Sequence, residues 1–212
     1  MKKVLVINAS ARRQHSHSRK LTEVFTGEWI RLHSDPEIRH RELGDANVPH
    51  ISEAWILANG KPETSRTDED HEVLATSDTY IAELKNADLI VLGTPMYNWS
   101  IPSTLKAYID QILRLNETFK IDPGNRQQPY TGLLENKTMI LLVARGSQGY
   151  ETGEPNSYLN FQTTYLRTVL NMMGIHNIHV VDVSGTSLDK GALEKTIEQA
   201  HRQVKAVIEM VK

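Results

Sequence analysis

Four short runs of aliphatic and β-branched residues, 4–8, 87–94, 138–144 and 178–183, show no strict alternation of apolar and polar positions. Strands covered on both faces read this way, because neither face has to be polar. A fifth run, 38–43, alternates apolar and charged residues and predicts a half-exposed strand at a sheet edge. Between the runs, apolar residues recur at helical spacing. Leu21, Val24, Phe25, Trp29 and Leu32 mark a helix over 18–32, and Val73, Leu74, Ile81 and Leu84 mark one over 70–86. Segments 102–115, 158–173 and 188–211 show the same period. Strand and helix alternate throughout, which predicts an α/β fold: a doubly wound, five-stranded parallel sheet with right-handed crossovers and helices on both faces.

Two segments interrupt the alternation. Residues 44–69 are about twice the usual upper length for a connector without structure. They carry Pro49, Ile51, Trp55, Ile56 and Leu57 in a polar setting. Either these groups pack on the domain's own surface, or the segment is a dimer-forming arm bordering the functional cleft. Residues 116–135 read as a second excursion beside that cleft. The remainder of residues 1–212 reads as one domain.

Composition narrows the function. A formal net charge of -2 with a pI near 6.5 gives no electrostatic footprint for nucleic acid or an anionic membrane. The absence of cysteine excludes thiol nucleophiles, thiolate metal sites, iron-sulfur clusters and disulfides, so redox chemistry would need another carrier. The apolar run after Met1-Lys2-Lys3 is too short for a signal peptide or a membrane span, and a cytoplasmic protein is expected.

The chemistry-bearing residues gather at strand ends. The first loop, residues 8–18, leads into a helix whose N-terminus favours an anion, and Ser10, Ser16 and Ser18 offer hydroxyls for a phosphate; Ser18 alone would read as a plain N-cap, and it is the cluster of three that points to binding. The loop has no glycine, so it is neither a Walker A loop nor a G-x-G-x-x-G fingerprint. After the third strand comes Thr94-Pro95-Met96-Tyr97-Asn98-Trp99. Its backbone amides and Asn98 suit the polar edge of a planar ligand, and Tyr97 and Trp99 suit its flat face. After the fourth comes Ala144-Arg145-Gly146-Ser147-Gln148-Gly149-Tyr150, whose glycines permit close backbone approach. In a sheet of order 2-1-3-4-5 the first two of these loops flank the switch point, where such folds bind a flavin mononucleotide. His15 with His17, and His176 with His179, have spacings a metal can use but lack carboxylate partners, so no metal site is expected. No G-x-S-x-G elbow supports a hydrolase.

With Ser10, Ser16-His17-Ser18, Pro95-Met96-Tyr97-Asn98-Trp99 and Ala144-Arg145-Gly146-Ser147 in this order, the chain resembles the bacterial FMN-dependent NADH-azoreductases, which belong to the flavodoxin-like quinone reductases. The resemblance implies a homodimer with one FMN per subunit, reduced by NADH or NADPH and reoxidised by a quinone or an azo compound in a ping-pong cycle. It places Ser10 and Ser16 to Ser18 at the phosphate and ribityl end, Met96 to Trp99 at the ring, and Ala144 to Ser147 at the ring's other edge. It assigns no side chain as catalytic acid or base.

Departures from the family pattern are Ala144, where serine is common, Ser147 in place of one of the paired glycines, Trp99 in place of phenylalanine, and Ile121 in a segment often richer in aromatics. These bear on the choice of acceptor more than on flavin binding. The rival readings are a flavodoxin-type electron carrier, whose acidic face a charge of -2 supports poorly, and a flavin-binding regulatory subunit.

Overall fold

Val4, Leu5 and Val6 are shielded from both sides because β1 (Val4–Asn8) runs between β2 (Ile38–Glu42) and β3 (Leu89–Pro95). Val4 pairs with Ile38 on one flank and Leu89 on the other, both in parallel register. Beyond β3 lie β6 (Thr138–Ala144) and β7 (Asn177–Val183), also parallel, giving the order β2-β1-β3-β6-β7. Counting only these five strands along the chain, this is the expected 2-1-3-4-5. The computed structural model describes residues 2–187 and 189–212.

Alternate side chains of each strand enter opposite layers. Leu5, Ile7, Ile90, Leu92, Leu141 and Val143 face α3 (Asp68–Asn86), α4 (Ser103–Ile112) and α5 (Thr163–Met172). Val4, Val6, Val91, Ile140 and Leu142 face α1 (His17–Leu32) and α6 (Lys190–Val211), through Leu21, Phe25 and Trp29 of the first and Val204 and Ile208 of the second. Two apolar layers explain why the central strands are apolar at every position. The edge strand β2 instead exposes Arg39 and His40, and charge at an edge discourages further strand pairing.

Helix starts follow local chemistry. Ser16, not Ser18, caps α1 by accepting from the Arg19 amide, while Thr67 and Asp70 form a reciprocal capping box on α3. The 158–173 pattern is interrupted: residues 157–159 make a single 3-10 turn and α5 begins only at Thr163. Asn160 is the cause, since its Oδ1 accepts from the Thr163 amide at 3.1 Å and its Nδ2 donates to the Tyr150 carbonyl at 2.9 Å. Leu188, where the pattern begins the last helix, lies outside the described residues, and Asp189 caps α6.

The 44–69 segment is not a structureless connector. It contains α2 (Glu53–Gly60), capped by Ser52. Trp55 and Ala58 pack on Leu74 of α3, whereas Ile56 and Leu57 face outward. Polar groups at the end of α4 fasten the segment: Gln111 accepts from Trp55 Nε1 at 2.9 Å and donates to the Pro49 carbonyl at 3.0 Å. The buried Arg114 donates to Asn59 at 2.9 Å and to Ser77 at 3.1 Å. The 116–135 excursion is a small antiparallel hairpin, β4 (Phe119–Ile121) with β5 (Tyr130–Gly132). Among the described residues no helix is long and apolar enough to cross a membrane.

Candidate active site at the carboxyl edge of the sheet

Five parallel strands present their carboxyl ends on one edge, and the loops that leave β1, β3, β6 and β7 meet there. The loop from β1 is shaped by Arg19, which grips Glu42 with two hydrogen bonds and donates to the Ser10 carbonyl at 3.2 Å and, through Nε, to the Arg12 carbonyl at 3.4 Å. The loop then turns so that Ser10, Ser16 and Ser18 are all buried. Ser16 and Ser18 hydroxyls lie 3.3 Å apart, and the first amides of α1 have no acceptor within the helix. Gly93 lets the helix end approach: a Cβ there would stand 2.6 Å from Thr22 Cγ2 and 3.0 Å from the Ser18 carbonyl oxygen.

These serines and His17 form one wall of a cavity of about 190 Å³, Pro95, Met96 and Tyr97 form another, and Ala144 and Gly146 close it. The Met96 amide donates to the Ala144 carbonyl at 2.7 Å, which ties the last two walls together. Four further residues line it that the sequence does not single out for a cofactor: Arg12 and His15 of the first loop, and Thr186 and Ser187. The last two leave β7, so the rule that ligands gather at strand carboxyl ends would have found them. The imidazole of His17 is held below its ordinary pKa by burial and then by the charges of Lys20 and Arg12.

A larger cavity of about 750 Å³ adjoins the first through Tyr97, which lines both. Asn98, Ile101, Lys106, Phe161 and Tyr165 surround it. Asn98 and Trp99 occupy the two central positions of a tight turn with φ of 47° and 64°, closed by paired hydrogen bonds of 3.0 Å between Tyr97 and Ser100. Both positive φ values define a type I′ hairpin turn. Trp99 lines neither cavity and stands at the tip, about half exposed.

Nine of the thirteen residues anticipated to hold a cofactor thus line the smaller cavity, and Asn98 lines the larger. Arg145 does not. Its guanidinium turns back beneath the loop, buried, to Gln162, Thr163 and Glu151. Ser147 contributes its carbonyl to the Gly185 amide at 3.1 Å rather than a hydroxyl to the cavity. Among the described residues no three His, Asp or Glu side chains cluster as a metal site requires.

The donor set suits a phosphate: three buried hydroxyls, the N-terminus of α1, and the cationic Arg12. The adjoining apolar-walled space suits a planar ring. A family model described as a flavodoxin-like fold matches residues 2–208. The FMN-dependent NADH:quinone oxidoreductase of Nostoc punctiforme is 38% identical over 209 residues, covering 98% of each chain. That of Hydrogenovibrio crunogenus is 41% identical over 201 residues, covering 94% of this chain and 96% of its own.

The chain belongs to the flavodoxin-like family of FMN-dependent NADH:quinone oxidoreductases and azoreductases.

Among solved structures, the FMN-dependent NADH-azoreductase of Bacillus anthracis in complex with FMN superimposes with a TM-score of 0.85 at 26% identity, covering 100% of this chain and 99% of that one. Within this family frame, Ala144 offers the cavity no hydroxyl, yet its carbonyl is already committed to Met96. Ile121 lies on β4, exposed, away from both cavities.

Proposed function

We propose that this protein is an FMN-dependent oxidoreductase that transfers two electrons from NADH or NADPH to quinones and aromatic azo compounds. The observation that carries this reading is that one residue, Tyr97, lines both the serine-walled cavity and the larger apolar one. When bound, FMN would accept hydride from a nicotinamide and pass it to the acceptor. The chain would supply position. Ser10, Ser16, Ser18 and the α1 amides would hold the phosphate, each charge-assisted bond contributing roughly 1.5–3 kcal/mol. Pro95 to Asn98, with Ala144 and Gly146, would frame the ring.

No side chain is assigned as acid or base. Lys106 in the larger cavity is paired with Asp110 at 2.5 Å, and burial pushes the Tyr165 hydroxyl above its ordinary pKa. Both remain protonated near neutral pH, and product protons come from water. One cavity serving donor and acceptor in turn requires ping-pong kinetics. Parallel double-reciprocal lines for NADH against benzoquinone are expected; intersecting lines would contradict the shared site.

The proposal includes a homodimer. Its support is the pair of outward-facing apolar residues on α2, Ile56 and Leu57, and the exposed Tyr158, Trp99 and cavity-lining Phe161.

A further inference from the structure

We propose that Arg145 is a positioning residue for the acceptor side of the cleft, holding the 97–100 turn through Gln162 and Phe161. The inference rests on the flavin reading given above. Although Arg145 follows a cavity residue directly in sequence, its side chain is only 1% exposed and points into the protein. The planar fork is used on three sides. Nε donates to Gln162 Oε1 at 3.1 Å, Nη2 to Thr163 Oγ1 at 3.2 Å and Nη1 to Glu151 Oε1 at 2.6 Å. Its guanidinium carbon also lies 5.6 Å from the centre of the Tyr150 ring. Burying a charge is costly, and its carboxylate partner, Glu151, is more than half exposed. An apolar side chain would fill the space more cheaply, so the directional bonds are what arginine adds.

Those bonds lead to the cleft. Gln162 passes the link on by donating from Nε2 to the carbonyl of Thr94, at the end of β3, at 3.4 Å. Its neighbour Phe161 donates its amide to the Trp99 carbonyl at 3.1 Å and accepts from the Ser100 hydroxyl at 3.4 Å. The turn so held carries two residues with side chains in the left-handed region, Asn98 at φ 47° and Trp99 at φ 64°. Such a conformation persists only where surroundings enforce it. Arg145 therefore fixes the entry to α5 against the end of β3, and that entry fixes the turn beside the acceptor.

Arg145→Met, Arg145→Lys and Gln162→Leu test this by two readouts. In the FMN-free proteins, amide hydrogen exchange at Ser100 and Phe161 should accelerate by up to about tenfold in all three variants, the loss expected for one hydrogen bond, while β1 and β3 amides keep their protection. In the FMN-loaded proteins, the KM for benzoquinone should rise by several-fold, roughly in step with the same loss, with kcat and FMN affinity within about twofold of wild type. Lysine keeps a charge facing Glu151 but not the fork, so it should not rescue either readout. Rescue by lysine, or unchanged exchange at both amides in Gln162→Leu, would overturn the proposal. Should Arg145→Met lose β1 and β3 protection as well, Gln162→Leu decides, since it leaves the Glu151 and Thr163 bonds in place. A wild-type protein that failed to bind FMN would refute the functional reading, while the exchange data would still decide the link from Arg145 to the turn.

Discussion

His17 lines the cavity proposed to hold the FMN phosphate. Burial and the nearby Lys20 and Arg12 charges lower its pKa in the folded protein. The unfolded chain therefore binds the proton more readily, and stability must fall as pH drops through the ordinary histidine range. For the FMN-free protein, urea midpoints between about pH 7.5 and 5 should decline more steeply for wild type than for His17→Gln. Equal slopes would show that His17 does not feel these neighbours. At this scale the sequence was informative about chemistry but not about direction. The serine loop could be read because hydroxyls and a helix start are local features. The direction of the Arg145 side chain was not legible, because its sequence neighbours are polar loop residues and only the tertiary partners Gln162 and Thr163 turn the guanidinium inward. Ser16 rather than Ser18 caps α1 because two further residues of the loop, His17 and Ser18, join the helix, leaving the Ser18 hydroxyl buried at the cavity.

Among the elements, the central strands were legible because both faces are covered, so their apolar character is continuous. The edge strand was legible for the opposite reason, its charged residues facing water. The short helix α2 was not. Its apolar residues mark two faces, with Trp55 and Ala58 packed on α3 and Ile56 and Leu57 outward, so no single stripe emerges. Its attachment depends on Gln111, one helix away. Gln111→Leu would leave the Trp55 indole N–H and the Pro49 carbonyl without their partner, and an unsatisfied buried group costs about 1–3 kcal/mol. A fall in unfolding free energy of that size is expected, with faster amide exchange within α2 than within β1 and β3. Undisturbed exchange in α2 would mean that Gln111 does not fasten the segment.

At the level of the whole molecule, one sheet topology explains why residues 10–18, 93–97, 144–146 and 186–187 meet although they are far apart in sequence. A parallel order reversing at β1 and β3 leaves a crevice at that edge, and the serine loop and the Pro-Met-Tyr turn are what this chain places beside it. Exposed apolar groups on α2 and near Phe161 predict that the protein sediments as a two-chain species at micromolar concentration; a single-chain species would remove the dimer from the account. The central claim is met most directly by absorption spectroscopy of the purified protein supplied with FMN. The account predicts a stoichiometric flavin spectrum, one FMN per chain, bleached by NADH and restored by benzoquinone; a protein that cannot be loaded with FMN, or whose bound flavin NADH does not bleach, would contradict it.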